Sequence, residues 1–225
     1  MSMITRLKVA NRRATRTFVE LDDAPWAELD TEVVLRHQLS KGQVLSPAEQ
    51  AALLAEDAFI RARRTAAILL RTRPRSIFEL RHRLTERKYE PATVEQVVAY
   101  YEEKGDLDDA RFAEIFVSHQ LKTRPDGPRR IATQLRQLGV ADNLIQAALE
   151  KADATDTELQ TERARQFIER RLRRLSDADP RKRRRKLTDA LIRAGFEPAV
   201  YAPLLREMLQ REPDEDFPEL TEESE

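Results

Sequence analysis

The chain has 225 residues, of which 36% are charged and 6% aromatic, with 5 glycines, a composition typical of a helix-rich protein with much solvated surface rather than a strand-dense fold. The absence of cysteine excludes disulfides, thiol nucleophiles and thiolate metal sites. No apolar run approaches the ~20 residues that span a bilayer, and the N-terminus lacks the apolar core of a signal peptide, so we expect a cytoplasmic protein without membrane contact.

The formal net charge of zero conceals a strong segregation of charge along the chain. Acidic and basic blocks alternate along the chain. There are nine acids and two bases in residues 20–57, ten bases and two acids in residues 61–88, thirteen bases and four acids in residues 163–193, and nine acids and one base in residues 207–225.

The first 45 residues differ from the rest. "MITRLKVA" and "ATRTFVEL" are rich in Ile, Val, Thr and Phe and flank the polar turn "NRR", which predicts a small β-hairpin on which Trp26 packs. "TEVVLRHQL" predicts a short helix that ends near Gly42. Ser46 and Glu49 then form a predicted capping box, with Pro47 in the first turn, for a long helix to about Arg71.

From residue 60 to 210 the chain repeats itself. The tripeptide Thr-Arg-Pro returns after 51 residues, the same shift relates Leu84 to Leu135, and Leu191 follows after a further 56, so the third copy carries five extra residues near "SDADP". Each copy resolves into three helices, with glycines and prolines at the boundaries. The expected divisions are 1–45 for the hairpin and short helix, 46–107 for the long helix and repeat 1, 108–154 for repeat 2, 155–210 for repeat 3, and 211–225 for an acidic disordered tail.

An apolar spine of one form recurs in all three copies, with spacings of three and four that place it on one face of each helix. A unit of about 50 residues with so few apolar positions buries too little surface alone, so neighbours should stack. We therefore expect a mostly α fold of three tandem three-helix repeats in an elongated curved array, with a small N-terminal β-hairpin. The spine residues are Leu80, Leu84, Tyr89, Val94 and Val97; Ile131, Leu135, Val140, Ile145 and Ala148; Leu187, Leu191, Phe196, Tyr201 and Leu204.

Four segments, in their order and spacing, together resemble the RecX regulatory family. They are "RPRS…EL…L" at 73–84, "GDLDDARFA" at 105–113, "G…RI…L…LGV" at 127–140 and "L…L…GF" at 187–196. The resemblance covers roughly residues 45–210, and the hairpin is similar to an extension that some members carry. The resemblance implies three repeats that lie in the groove of the RecA filament on single-stranded DNA, where they inhibit ATP turnover, filament extension or strand exchange. The long arginine run and the acidic tail depart from the family pattern.

The densest basic run is the first group of candidate binding residues. Six consecutive bases on a helix repel one another and cover every face, so a nucleic-acid backbone or an acidic protein surface would relieve the strain. The alternative is that the eight acids of "EPDEDFPELTEESE" fold back and mask the run. The run comprises Arg181, Lys182, Arg183, Arg184, Arg185 and Lys186.

A second group of arginines lies in the first two repeats. The planar guanidinium fork suits phosphate or carboxylate, which predicts contact with DNA or an acidic partner. The alternative is that several of them bridge acids at the joints between repeats, such as Glu86, Glu90, Glu102 or Glu103. The group comprises Arg71, Arg73, Arg75, Arg81 and Arg83, with Arg124, Arg129 and Arg130 as counterparts in the second copy.

Catalysis finds little support in the sequence. There is no glycine-rich phosphate loop or nucleophile elbow, and aromatic residues recur at spine positions, which argues against base-stacking platforms. We expect no enzyme, no metal and no cofactor, and a monomer that binds the RecA filament and single-stranded DNA. A stand-alone nucleic-acid-binding protein and a scaffold for another acidic protein are the alternatives. The residues considered and set aside as metal ligands are His37, His82 and His119, which lack ligand spacing, and Asp106, Asp108 and Asp109, which helix capping explains.

Overall fold

The computed structural model describes residues 1–9, 15–124, 126–175 and 179–210 of the chain. Within these ranges it contains ten helices and one four-stranded sheet. The chain divides into two compact units, Met1–Asp109 and Ala110–Glu225, and each is described by itself. No helix in the described ranges combines the length and apolar character needed to cross a membrane. The predicted turn "NRR" and the predicted acidic tail lie outside the described residues.

The N-terminal hairpin is present, but it belongs to a larger antiparallel sheet of order β3-β2-β1-β4. Thr17, Val19 and Leu21 alternate towards the core, as the period of a half-buried strand requires. Trp26 packs against the apolar core to which both hairpin strands contribute, as predicted, and it belongs to a third strand, which pairs along β2. The strands are β1 Ser2–Val9, β2 Arg16–Leu21, β3 Ala24–Asp30 and β4 Val44–Leu45.

Two helices complete the N-terminal part of the first unit. Helix α1, Thr31–Arg36, begins where the Asp30 carboxylate accepts a hydrogen bond from the Glu32 amide, and it ends well before Gly42. Helix α2, Pro47–Thr72, begins with the predicted capping box of Ser46 and Glu49, which is confirmed. The first turns of α2 pack their apolar face on the sheet. The buried residues there include Ile4, Val19, Leu29, Val33, Leu45, Leu53 and Ile60.

A buried carboxylate on α2 ties the sheet to this helix. Asp57 is almost fully buried, and its Oδ1 accepts hydrogen bonds from the Asp30 amide at 2.7 Å and from Arg16 Nη1 at 2.6 Å. Its Oδ2 lies 3.1 Å from Arg61 Nε. A buried charge is tolerated only when it is paired and hydrogen-bonded in this way, so the network fixes the sheet relative to α2.

The second half of α2 forms the first three-helix bundle with α3, Ile77–Glu86, and α4, Pro91–Glu103. Helix α3 begins with the predicted Ser76 and Glu79 capping box, which is confirmed. Asp109 serves the same helix, because its Oδ1 accepts a hydrogen bond from the Ile77 amide at 2.8 Å. Partial burial raises the pKa of Asp109, although that hydrogen bond opposes the effect.

The second unit contains two further triplets of helices. Every residue of the predicted spine in the three triplets is buried except Tyr89, which is half-buried. This confirms the prediction that one apolar pattern builds three similar cores. The helices are α5 Asp109–Thr123, α6 Pro128–Gln137 and α7 Asp142–Lys151, then α8 Thr157–Leu172, α9 Pro180–Arg193 and α10 Pro198–Gln210.

Two glycines bring the start of α6 against the turn between α9 and α10. The Gly127 amide donates a hydrogen bond to the Ala194 carbonyl oxygen at 2.7 Å. A Cβ atom at Gly127 would lie 2.4 Å from the Gly195 carbonyl oxygen, and one at Gly195 would lie 2.3 Å from the Arg130 nitrogen. Backbones this close leave no room for a side chain, so both positions require glycine. The contact between them joins the second and third triplets.

Candidate functional site

Several predicted arginines of the first repeat are paired with acids of their own unit. Arg73 Nη1 lies 3.0 Å from Glu79 Oε2, and Arg81 forms two hydrogen bonds to Glu95, of 2.6 and 2.8 Å. Arg83 pairs at 2.8 Å with a glutamate one turn further along α3. These three arginines therefore bridge acids of their own unit, and part of their charge is neutralised.

Arg75 lies at the centre of a positive cluster. It is half-buried, and its Nε donates a hydrogen bond to the Leu69 carbonyl oxygen at 3.1 Å. Burial lowers the pKa of Arg75, and repulsion from Arg73, Arg83 and Arg87 adds to the effect. Arg87, at the C-terminal end of α3, was not among the predicted binding residues.

Two of the three predicted arginines of the second repeat, Arg129 and Arg130, lie at the joint formed by Gly127 and Gly195. Arg129 Nε lies 2.9 Å from Glu197 Oε1, while Arg130 Nη1 donates to the Arg193 carbonyl oxygen at 3.0 Å. Arg130 Nε also lies 3.4 Å from a carboxylate oxygen of the preceding loop. These contacts give both side chains a role in packing the second triplet on the third.

Arg71 and Arg124 stand apart from the paired arginines. Both are exposed, and neither has a carboxylate within salt-bridge distance among the residues that the structure describes. Arg71 directly precedes the last residue of α2, and Arg124 directly follows the last residue of α5, so each lies at the end of the first helix of its repeat. Their charge is available to an anionic partner.

The predicted basic run forms the first turns of α9. Five of its six bases are exposed, but Arg183 is half-buried, and its Nε is inaccessible to solvent. Arg183 precedes Leu187 by four residues and Ala190 by seven, so it shares the face that α9 buries. One of the six side chains thus lies on the packed side while five are exposed, so the run does not form a single stripe, as the sequence predicted.

Four further exposed arginines follow one another at the end of α8, and the sequence analysis did not single them out. The sequence feature that could have identified them is the segment "ERRLRRL", in which two pairs of bases flank one apolar residue. Bases near a helix C-terminus are also favoured by the helix dipole. Because α8 ends at Leu172 and α9 begins at Pro180, while both pack in one core, these arginines lie near the start of α9. The repeat 3 basic surface comprises Arg170, Arg171, Arg173, Arg174, Arg181, Lys182, Arg184, Arg185 and Lys186.

Most of the repeat 3 basic surface lacks a neutralising acid. Lys182 Nζ lies 4.0 Å from Asp179 Oδ2, at the limit of an ion pair. Asp179 otherwise caps α9 by accepting a hydrogen bond from the Arg181 amide at 2.9 Å. Within the described part of the chain, no carboxylate lies within salt-bridge distance of Arg170, Arg171, Arg173, Arg174, Arg181, Arg184 or Arg185. The surface therefore carries uncompensated positive charge, which an anionic partner would stabilise.

Comparison with protein families assigns the three helix triplets. Models described as the first, second and third three-helix domains of RecX match residues 62–100, 108–149 and 158–200. A "Regulatory protein RecX" from Thermobifida fusca is 34% identical over 164 residues, which cover 72% of this chain and 87% of that protein. The chain belongs to the RecX family. The repeat 3 basic surface thus lies within the third RecX domain and the residues that border its helices.

Other RecX proteins confirm the fold. A "Regulatory protein RecX" from Listeria welshimeri is 27% identical over 198 residues, covering 88% of this chain and 72% of that protein. A crystal structure of regulatory protein RecX superposes with a TM-score of 0.69 at 24% identity, over 92% of this chain and all of that one. RecX from Lactobacillus salivarius gives a TM-score of 0.59 at 21% identity, over 68% of this chain and 97% of that one. These structures share the fold of this RecX family member.

The described histidines belong to no metal-binding group, and one aromatic ring departs from its predicted position. No group of three or more His, Cys, Asp or Glu side chains there could hold a metal ion. His37 Nε2 lies 2.6 Å from Glu56 Oε2, a contact that lowers the pKa of Glu56. Phe78 departs from the expectation that aromatic residues lie at spine positions, since it is 49% exposed and its ring is parallel to that of His82.

Proposed function

We propose that this protein binds the RecA filament on single-stranded DNA and lowers RecA activity, namely ATP hydrolysis, filament extension or strand exchange. It thereby acts in homologous recombination and DNA repair, through binding and without catalysis. Membership of a family of regulatory proteins supports a regulatory role. The observation that carries the proposal is the uncompensated charge of the repeat 3 basic surface, which suits a polyanionic partner.

In this proposal the three repeats, divided at 46–107, 108–154 and 155–210, contact neighbouring RecA subunits. The repeat 3 basic surface lies against DNA phosphates or acidic side chains of the filament. Arginine forks bind phosphate and carboxylate bidentately, and each charge-assisted contact contributes about 1.5–3 kcal/mol. Exposed arginines that already lack an acidic partner lose no internal ion pair when they bind. This favours the third repeat over the paired arginines of the first two.

A RecA-dependent ATPase titration tests the proposal. The double variant Arg181→Glu and Arg185→Glu reverses two exposed charges on α9 and leaves the half-buried Arg183 in place. Loss of two charge-assisted contacts predicts that at least about tenfold more protein is needed for half-inhibition. The matched control is Arg6→Glu with Lys8→Glu, which makes the same charge change on the sheet. Equal inhibition by the α9 variant and the unmodified protein would refute the role of this surface.

Stand-alone binding of nucleic acid is a second candidate, because unpaired arginines fit phosphates with or without RecA. Binding should therefore be compared on bare and RecA-coated single-stranded DNA over a range of salt concentrations. The affinity for bare single strands falls with a slope of roughly −0.7 per phosphate contact on logarithmic axes. The proposal requires a clear preference for the coated DNA, whereas equal binding to both forms supports the second candidate.

A further inference from the structure

We propose that residues 212–225 of this chain occupy the repeat 3 basic surface and compete with its anionic partner. The surface would then be masked until RecA-coated DNA displaces the segment. The regulatory consequence rests on the function proposed above, whereas the docking itself does not. Residues 212–225 would therefore compete with the partner for the same binding surface.

Charge complementarity is the first argument. Residues 212–225 contain eight acids and no base. The repeat 3 basic surface contains nine exposed bases, seven of which have no described carboxylate within salt-bridge distance. Elsewhere in the described chain arginines such as Arg16, Arg81 and Arg129 are paired with acids. Seven bases of the repeat 3 basic surface thus lack a described acid, and the following segment carries about that number of acids.

The position of α10 places the segment within reach. Helices α8, α9 and α10 share one core, and Arg165 of α8 lies 3.3 Å from Glu207 in the last turn of α10. Helix α9 has 14 residues and so measures about 21 Å. The 15 residues after Gln210 can extend to about 50 Å. The segment can therefore cross the third repeat and still lie along the whole of α9.

Tethering favours this occupant over an acidic segment of a second copy. A short flexible connection gives an effective concentration of about millimolar, well above micromolar protein in solution. A contact made of exposed ion pairs is weak and strongly screened by salt, since the Debye length falls to about 3 Å at 1 M. Such a contact can be displaced by a polyanion that presents phosphates in a regular array. Masking of this kind is reversible and requires no rearrangement of the helices.

The absence of cysteine allows docking to be measured directly with two introduced labels. Ile192 is 56% exposed on α9, and it follows Arg181 by eleven residues and Arg185 by seven, so it shares their face. Nitroxides attached after Ile192→Cys and Ser224→Cys report the separation of the segment from that face. We expect a narrow, short-distance component at low salt that disappears at 1 M salt and in the variant with Arg181→Glu and Arg185→Glu. A broad distribution that neither change affects would overturn the proposal.

Competition is measured by removing the segment or only its charge. Two variants are compared with the full chain, one truncated after Gln210 and one of full length with the eight acids replaced by Asn or Gln. The probe is single-stranded oligothymidylate, bare and RecA-coated. If the segment occupies the surface nine-tenths of the time, both variants bind about tenfold more tightly. Unchanged affinity in both variants, with the docked component present, would show that docking does not mask the partner site.

The two measurements separate the failure of this inference from that of the proposed function. One outcome is that the docked component is observed but neither the truncated nor the full chain binds bare or RecA-coated DNA. This outcome would refute the proposed function and leave the docking intact. Tight binding of the coated probe without a docked component and without any gain on truncation would refute the inference and leave the function standing. If the truncated variant binds more tightly but the charge-neutralised variant does not, the inference is also refuted, because the effect of the segment would then depend on its bulk rather than its charge.

Discussion

Replacing Gly105, Gly127 or Gly195 with alanine should lower the stability for different reasons. Alanine can strain a left-handed backbone, its Cβ can overlap neighbouring atoms, or both can occur at one position. Gly105 has φ of +71° and open space around a built Cβ, so Gly105→Ala costs backbone strain alone. Gly127 lies outside the positive-φ region, so Gly127→Ala costs steric overlap alone. Gly195 has φ of +83° and a built Cβ 2.3 Å from a backbone nitrogen, so Gly195→Ala incurs both costs.

The magnitudes follow from these geometries. A left-handed backbone costs a residue with a Cβ roughly 1–2 kcal/mol, and alanine recovers about 0.4–1 kcal/mol by restricting the unfolded chain, so Gly105→Ala should lose about 1 kcal/mol. Overpacking costs typically 1–3 kcal/mol. Gly127→Ala should reach about 3 kcal/mol, because its neighbour is rigid backbone at 2.4 Å and its amide hydrogen bond to Ala194 is strained. Gly195→Ala should lose more than either.

Urea unfolding of the full chain, monitored by hydrogen exchange in each unit, provides the assay. We expect loss of protection in the unit from Ala110 onward for Gly127→Ala, and in the unit that ends at Asp109 for Gly105→Ala. The order of destabilisation should be Gly105→Ala, then Gly127→Ala, then Gly195→Ala. If Gly127→Ala costs no more than Gly105→Ala, the close backbone approach does not join the second and third triplets as described here.

Two further predictions concern ionised groups of the first unit. Asp57→Ala should lower the free energy of unfolding in urea by about 3–5 kcal/mol, because the partners of the buried carboxylate are left unpaired. Asp57→Asn keeps an acceptor for the Asp30 amide and should cost less. Equal losses in the two variants would contradict the assigned hydrogen bond. Burial alone would raise the pKa of Glu79, but Arg73 and Ser76 outweigh it and hold the pKa below its ordinary value. The resulting stability is present above the unfolded pKa of about 4.3 and is lost as the pH falls towards the folded pKa. Arg73→Gln should reduce this loss between about pH 5 and 3, and an unchanged pH profile would refute the pairing.

Local patterns predicted much of the fold. The capping boxes at Ser46 and Ser76 form as expected, because a cap involves residues three positions apart. The spine is buried because helical periodicity alone decides which residues share a face. The sheet was only partly predicted. Its fourth strand pairs Leu45 with Ser2, which is distant in sequence. Its third strand directly follows β2 after Asp22 and Asp23, but "APWAELD" has neither the alternation nor the composition of a typical strand.

The candidate site was harder to predict, because charge on a sequence does not reveal which charges are already paired. Arg81 and Arg184 look alike as residues, yet Arg81 meets Glu95 from the next helix, while no described acid reaches Arg184. Arg183 sits amid its basic neighbours in sequence but turns towards the core. Arg170, Arg171, Arg173 and Arg174 were not predicted, because the sequence does not show how the end of α8 lies relative to the start of α9.

The sequence by itself determined the threefold succession of helices, their starts and the faces that they bury, since each depends on residues within a few positions of one another. Tertiary structure alone decided the pairing of Arg81 with Glu95 and of Arg129 with Glu197, the burial of Asp57 beneath the sheet, and the backbone contact between Gly127 and Gly195. Those outcomes depend on residues that lie on different secondary-structure elements, and Coulomb and steric energies are set by distance in space rather than by separation along the chain.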